Sequence, residues 1–117
     1  SVRSWSEYLS ALSRKTEEAG ILVMRSSVVG NQTHRKVGAE EVKGFAICDS
    51  IAPLVFINAD DYKASQIFTL GHELAHVWIG QSAISNPDQA DAGKGEIEAF
   101  CNRVAAETLV PNAEFLN

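Results

Sequence analysis

The stretch TLGHELAHVW, residues 69–78, places two histidines four positions apart, with a glutamate directly after the first. Positions i and i+4 of an α-helix differ by about 40° of rotation and about 6 Å of rise, so the imidazoles of His72 and His76 would project from one face. Two such imidazoles supply half of the four ligands of a zinc ion. Glu73 lies about 100° further round the helix. From there a carboxylate reaches a water molecule beside the metal and can act as the general base of a hydrolase.

The third protein ligand must come from another segment of the chain. A histidine six residues after His76 would indicate a metzincin, but Ser82 occupies that position. His34 belongs to a polar stretch and has two basic neighbours, which is a poor setting for a rigid ligand. The helix that we predict from residue 96 offers three better candidates, the carboxylates of Glu96, Glu98 and Glu107.

Glu98 is the expected third ligand, with Glu96 as the fallback. Glu98 lies on the helical face that must pack toward the core, which it shares with Cys101 and Ala105, whereas Glu96 points about 160° away. Cys101 is interpreted as a buried structural thiol, with a soft metal ligand as the alternative. Asn102 either orients a ligand or serves as a core or capping amide.

A ligand set of two histidines and one glutamate leaves the fourth zinc position to water, which distinguishes a catalytic site from a structural one. The chemistry indicated is hydrolysis of an amide bond, in which Glu73 takes a proton from zinc-activated water and hands it to the leaving amine. Manganese or iron is the alternative metal for such a site.

Three helices and at least three strands are predicted around these residues. Ser4 and Glu7 have the spacing of a capping box and start an amphipathic helix that ends at Gly20. Strands follow at ILVMRSSVV (residues 21–29), GFAIC (44–48) and LVFIN (54–58). The last two strands flank DSIAP, a turn segment of hairpin length, so we expect them to pair antiparallel.

The two helices that carry the site residues lie in the second half of the chain. Asp60 or Asp61 is expected to cap a helix that closes at Gly80, so that the histidine motif lies in its last two turns. Another helix begins at Glu96 and is stopped by Pro111. Gly71 costs a helix about 1 kcal/mol relative to alanine, and it either admits a close-packed neighbour or is incidental.

The composition narrows the class of protein. A chain of 117 residues fits a single domain, residues 1–117. The net charge of −5 and the scattered basic residues argue against direct nucleic-acid binding by this domain. Two cysteines in apolar surroundings suit a reducing compartment, and no apolar run of membrane-spanning length or signal-peptide pattern occurs, so we expect a cytoplasmic location. The start without Met and the end in PNAEFLN indicate a piece excised from a longer protein.

The motif GHELAHVWIG followed by EAFCNRVAAETLVP resembles the ImmA/IrrE metallopeptidases, whose pattern joins a helix with HELxH to a helix reading roughly E-x-x-A/C-N-x-F/V-A-A-E-x-L-x-P. The positions that match in the second helix are Glu98, Cys101, Asn102, Ala105, Ala106, Glu107, Leu109 and Pro111. With the preceding FINADDYKASQIFTL, the resemblance covers roughly the second half of the chain. Gly71 stands where alanine is common in the family, a departure that leaves the ligand positions unchanged.

The resemblance implies a minimal zincin-like α+β domain of the gluzincin type. Its small, mainly antiparallel sheet of three or more strands would pack on an N-terminal helix, the HExxH helix and the downstream glutamate-bearing helix. The family's site implies Zn²⁺ held at His72, His76 and Glu98, with Glu73 as the base. The resemblance thus implies the site of a zinc endopeptidase.

Members of the family typically cleave or antagonise helix-turn-helix repressors in bacteria, and so control mobile elements, toxin–antitoxin modules or stress responses. The resemblance therefore implies a helix-turn-helix repressor as the protein substrate. The alternative is a metal-containing regulatory module that sequesters a repressor without cleaving it. The presence of Glu73 argues against that alternative, because binding alone does not need a base.

Overall fold

Three helices and three strands make up the part of the chain that the computed structural model describes, residues 4–27, 42–85 and 93–110. Their order is α1 (Trp5–Glu18), β1 (Leu22–Ser26), β2 (Gly44–Ile47), β3 (Leu54–Asn58), α2 (Lys63–Ser85) and α3 (Lys94–Thr108). The predicted α+β class, with a small sheet on three helices, is confirmed. No helix in these ranges is both long and apolar enough to cross a membrane.

The sheet has the strand order β1-β3-β2. Strands β2 and β3 form the predicted antiparallel hairpin, whereas β1 pairs with β3 in parallel, so the sheet is mixed rather than mainly antiparallel. Strand β3 takes the centre because it is apolar on both faces: Val55, Phe56 and Ile57 are all buried. The expectation of mainly antiparallel pairing came from the order of the strands in the sequence, which does not show that β1 lies next to β3.

Helix α1 begins and ends as the sequence predicts. The Ser4 hydroxyl accepts a hydrogen bond from the Glu7 backbone N–H at 3.1 Å and caps the helix. At the other end Gly20 has a φ of +96°, a conformation that residues with a side chain rarely adopt. The core between the helices and the sheet consists of Tyr8, Leu9, Val55, Ile57, Ile67, Leu70 and Val77.

Helix α2 is the central helix of the fold and packs against α1, α3, β2 and β3. It continues to Ser85, so the predicted end at Gly80 is wrong, and the histidine motif lies in the middle of the helix rather than in its last turns. The reason is packing: a Cβ at Gly80 would lie 2.6 Å from the Cys48 Sγ. Glycine serves here for close approach to the segment that follows β2 and does not terminate the helix.

Helix α3 begins at Lys94 after an N-cap at Gly93, two residues before the predicted start. The Glu96 carboxylate accepts a hydrogen bond from the Gly93 backbone N–H at 3.1 Å and so satisfies a free donor at the start of the helix. The helix ends at Thr108, with Leu109 as its C-cap. The predicted stop at Pro111 lies outside the described residues.

Close contact between α2 and α3 depends on Gly71. A Cβ built at this position would lie 2.6 Å from the Thr108 Oγ1 and 3.1 Å from the Ala105 Cα. Of the two interpretations of this glycine, the close-packed neighbour is therefore correct. The contact brings the helix that carries both histidines against the helix that carries Glu98.

Candidate metal centre

Two imidazoles from α2 and one carboxylate from α3 converge at the surface between these helices. The His76 Nε2 lies 2.8 Å from the Glu98 Oε2, and the His72 Nε2 lies 3.3 Å from the Glu98 Oε1. The two Nε2 atoms are 3.2 Å apart. Elsewhere in the described ranges, no three His, Cys, Asp or Glu side chains are grouped closely enough to bind a metal ion together.

The chemistry and spacing of these donor atoms fit a zinc ion. Zinc bonds of about 2.0–2.1 Å in a tetrahedral arrangement separate neighbouring ligand atoms by about 3.3 Å. The separations between the Nε2 atoms and the Glu98 oxygens are 2.8 to 3.3 Å, close to that value. His72 and His76 both present Nε2, and a carboxylate oxygen completes a set of two nitrogens and one oxygen, as catalytic zinc sites use.

Ring contacts also hold the two imidazoles in place, in addition to the Glu98 carboxylate. The Phe68 ring is stacked on the His72 ring, with centroids 6.4 Å apart and planes inclined by 20°, and the His72 and His76 rings meet edge to face at 4.8 Å. The His72 Nδ1 is buried and has no hydrogen-bond partner among the described residues. On its Nδ1 side, the His72 ring is therefore oriented by packing rather than by a hydrogen bond within the described residues.

Glu73 lies beside these ligands in a partly buried position. Burial raises the pKa of the Glu73 carboxyl, the neighbouring Glu98 carboxylate raises it further, and His72 and His76 oppose the shift. A carboxylate with a raised pKa holds a proton more readily near neutral pH, which suits a general base. Its role as a base and the ligand roles of the other three residues stay predictions that the geometry supports.

The remaining sequence candidates lie in other settings. Glu96 caps α3, and Glu107 is exposed. Cys101 is fully buried and is not part of the cluster; burial raises the pKa of its thiol, and the carboxylates of Glu98 and Glu73 add to the shift. A raised pKa disfavours the thiolate that a metal ligand must be, which agrees with a structural thiol. His34 lies outside the described residues.

A cavity of about 220 Å³ opens beside the cluster. Its walls are formed by Lys43, Gly44, Phe68, Thr69, His72, Glu73 and Asn102. Sequence analysis missed four of these residues. Phe68 stands four positions before His72, so helical spacing alone could have placed both on one face. Lys43 and Gly44 reach the site only through the strand pairing. Asn102, for which the sequence left both a ligand-orienting role and a core or capping role open, lines the cavity on the α3 side.

Residues 16–117 match the model of a peptidase family described as the IrrE N-terminal-like domain. The matched range includes all four residues of the predicted site, His72, Glu73, His76 and Glu98. Searches of curated proteins and of solved structures gave no significant match.

Proposed function

The chain belongs to the peptidase family of IrrE N-terminal-like domains, and on that premise we propose that it is a zinc-dependent endopeptidase that hydrolyses a peptide bond in a protein substrate. The observation that carries the proposal is the convergence of His72, His76 and Glu98 within 4.8 Å of one another, next to a carboxylate that is not part of the set. A binding site for a metal alone would not need Glu73 beside it.

Each residue of the site has a distinct task in this mechanism. His72 and His76 would bind zinc through Nε2, and Glu98 through its carboxylate. A bound zinc ion supplies a Lewis acid for the scissile carbonyl and lowers the pKa of water. Glu73 accepts a proton from the attacking water and then delivers it to the nitrogen of the leaving amine.

The outer edge of strand β2 is a site where an extended peptide could pair. It pairs with β3 on one side, and no other described strand pairs with its second edge. Gly44, the first residue of β2, and the preceding Lys43 line the cavity together with His72 and Glu73. A substrate that adds a strand to this edge would pass beside the metal ligands, with its backbone fixed by hydrogen bonds.

A helix-turn-helix repressor is the substrate that we propose for this site. Support comes from the resemblance to the ImmA/IrrE metallopeptidases and from the net charge of −5, which suits a protein partner better than DNA. Cys48 and Cys101 are free thiols, which agrees with action in the reducing bacterial cytoplasm.

The test is to incubate the zinc-loaded chain with a purified helix-turn-helix repressor of its source organism and to identify new amino termini by mass spectrometry. We expect cleavage by the wild type and by Glu107→Gln, an exposed carboxylate on α3, and none by Glu73→Gln. Elemental analysis must show that Glu73→Gln retains zinc.

Two other outcomes would contradict the peptidase. Cleavage by Glu73→Gln at the wild-type rate would show that Glu73 is not the general base. Release of the repressor from DNA without any cut, by the wild type and Glu73→Gln alike, would favour the sequestering module instead.

A further inference from the structure

We propose that the cavity beside Glu73 is the pocket that selects the substrate, and that it takes an apolar side chain of the residue next to the scissile bond. Phe68 is assigned as the residue that sets the size of this pocket. The inference rests on the proposed peptidase function and deepens it, because it names the class of substrate residue that the site accepts.

The cavity lies where a substrate side chain next to the scissile bond would be held. His72 and Glu73 form one wall, so a side chain held in the cavity lies next to the ligand cluster and the proposed base. Lys43 and Gly44, at the start of the edge strand, also line the cavity. Successive side chains of a peptide paired with that edge point to alternate faces, and one of them would enter the space between β2 and α2.

The walls of the cavity are mostly hydrocarbon. Phe68 supplies an aromatic ring, and Thr69 is 7% exposed with its methyl group directed at Gly44. A Cβ at Gly44 would lie 2.5 Å from the Thr69 Cγ2 and 2.6 Å from the Phe56 backbone O, so strand and helix are already in contact there and close this end of the cavity. An apolar side chain that enters such a space is stabilised because its surface leaves water.

The charges around the cavity disfavour an acidic or basic occupant. The Lys43 Nζ lies 3.6 Å from the Asp61 Oδ2, so this ammonium already has a counter-ion just before α2. An acidic side chain would meet the carboxylate of Glu73. A basic one would pair with the Glu73 carboxylate, which the proposed mechanism needs free to accept a proton.

The volume of the cavity limits the size of the side chain. An apolar cavity of about 150 Å³ can hold a benzene molecule, and this one measures about 220 Å³. This is room for a leucine, methionine or phenylalanine side chain. Phe68 is the largest apolar residue of the wall, and its ring therefore decides how large an occupant can be.

The test uses the zinc-loaded chain and a peptide mixture randomised at the positions that flank the cut. We expect leucine, methionine and phenylalanine to be enriched at one flanking position, and aspartate and glutamate to be depleted. Phe68→Trp should narrow the pocket and lower the preference for phenylalanine over valine by roughly tenfold, and Phe68→Leu should raise it. Phe100→Leu is the matched control, since Phe100 is also a half-buried helical phenylalanine beside another ring, Trp78, but does not line the cavity.

A binding measurement supplements the cleavage assay. The best-cleaved peptide and its aspartate counterpart are titrated into ¹⁵N-labelled Glu73→Gln, and the backbone amide signals are followed by NMR. We expect the apolar peptide to shift the signals of Gly44, Thr69 and Asn102, and the aspartate peptide to shift them less at the same concentration.

The outcomes separate this inference from the proposed function. Cleavage by both Phe68 variants with wild-type preference, a preference for acidic or basic residues, or NMR shifts confined to other residues would overturn the pocket and leave the peptidase intact. If the zinc-loaded wild type cuts no peptide and no repressor, the proposed function fails, and the pocket assignment fails with it.

Discussion

The substitution Gly71→Ala tests how closely the two site helices must pack. Gly71 directly precedes His72, and an added Cβ would meet the Thr108 Oγ1 at 2.6 Å and the Thr108 Cβ at 3.0 Å. Overpacking of this kind costs about 1–3 kcal/mol, whereas replacing glycine by alanine within a helix gains up to about 1 kcal/mol. We therefore expect Gly71→Ala to lower the free energy of unfolding by about 1 kcal/mol.

Urea denaturation of the metal-free chain measures this difference. With a slope of about 2 kcal/mol per M, the midpoint should fall by roughly 0.5 M. Gly95→Ala is the matched control on α3, because a Cβ at Gly95 meets nothing within 4 Å; there the helix propensity acts alone, and stability should rise by up to about 1 kcal/mol. Adding Thr108→Ala to Gly71→Ala removes the closest atom, so the cost of the alanine should shrink.

The same substitution should weaken zinc binding, because relief of the contact moves α3, and with it Glu98, away from the two histidines. Competition with a chelator measures that affinity. If Gly71→Ala raises stability as much as Gly95→Ala does and leaves the zinc affinity unchanged, the close packing of α2 on α3 is not what holds the three ligands together.

Three further predictions concern the scaffold around the site. The Tyr8 hydroxyl donates a hydrogen bond to the Thr108 backbone O at 2.6 Å and so links α1 to the end of α3. Tyr8→Phe should lower the free energy of unfolding, measured by urea denaturation, by about 0.5–1.5 kcal/mol, and an unchanged stability would refute the link. Gly20→Ala adds a Cβ in open space at a φ of +96°, so the strained backbone alone should destabilise the fold by about 1–2 kcal/mol. Thermal melting of this variant at the wild-type temperature would contradict the prediction. Burial raises the pKa of Asp61, but the hydroxyl of Ser65 and the ammonium of Lys43 outweigh it and hold the pKa below its usual range. The charged form of Asp61 therefore stabilises the fold at neutral pH and loses this effect as the pH falls below about 4. Asp61→Asn should thus lower the free energy of unfolding clearly at pH 7 and less at pH 3. An equal effect at both pH values would refute the pKa shift.

The parts of the fold that sequence analysis predicts best are those fixed by local rules. The cap at Ser4, the turn at Gly20 and the hairpin between β2 and β3 each depend on residues a few positions apart. The choice of Glu98 over Glu96 also followed from local geometry, because the rotation per residue of a helix decides which carboxylate shares a face with Cys101 and Ala105. The structure places Glu98 against both histidines and gives Glu96 a capping role.

The features that sequence analysis missed depend on contacts between distant segments. Gly80 looked like a helix end because glycine is common there, yet it lies within α2 and makes room for Cys48, which is 32 residues earlier in the chain. The parallel pairing of β1 with β3 depends on which strand is buried on both faces. For the same reason the cavity wall formed by Lys43 and Gly44 could not be predicted before the strand order was known.

The most direct test of the metal centre is a crystal structure of the zinc-loaded chain with anomalous scattering at the zinc edge. We predict a single strong peak at roughly 2.0–2.2 Å from the Nε2 atoms of His72 and His76 and from an oxygen of Glu98, with a fourth position open to water. A peak at another site, or a Glu98 carboxylate turned away from the ion, would contradict the account.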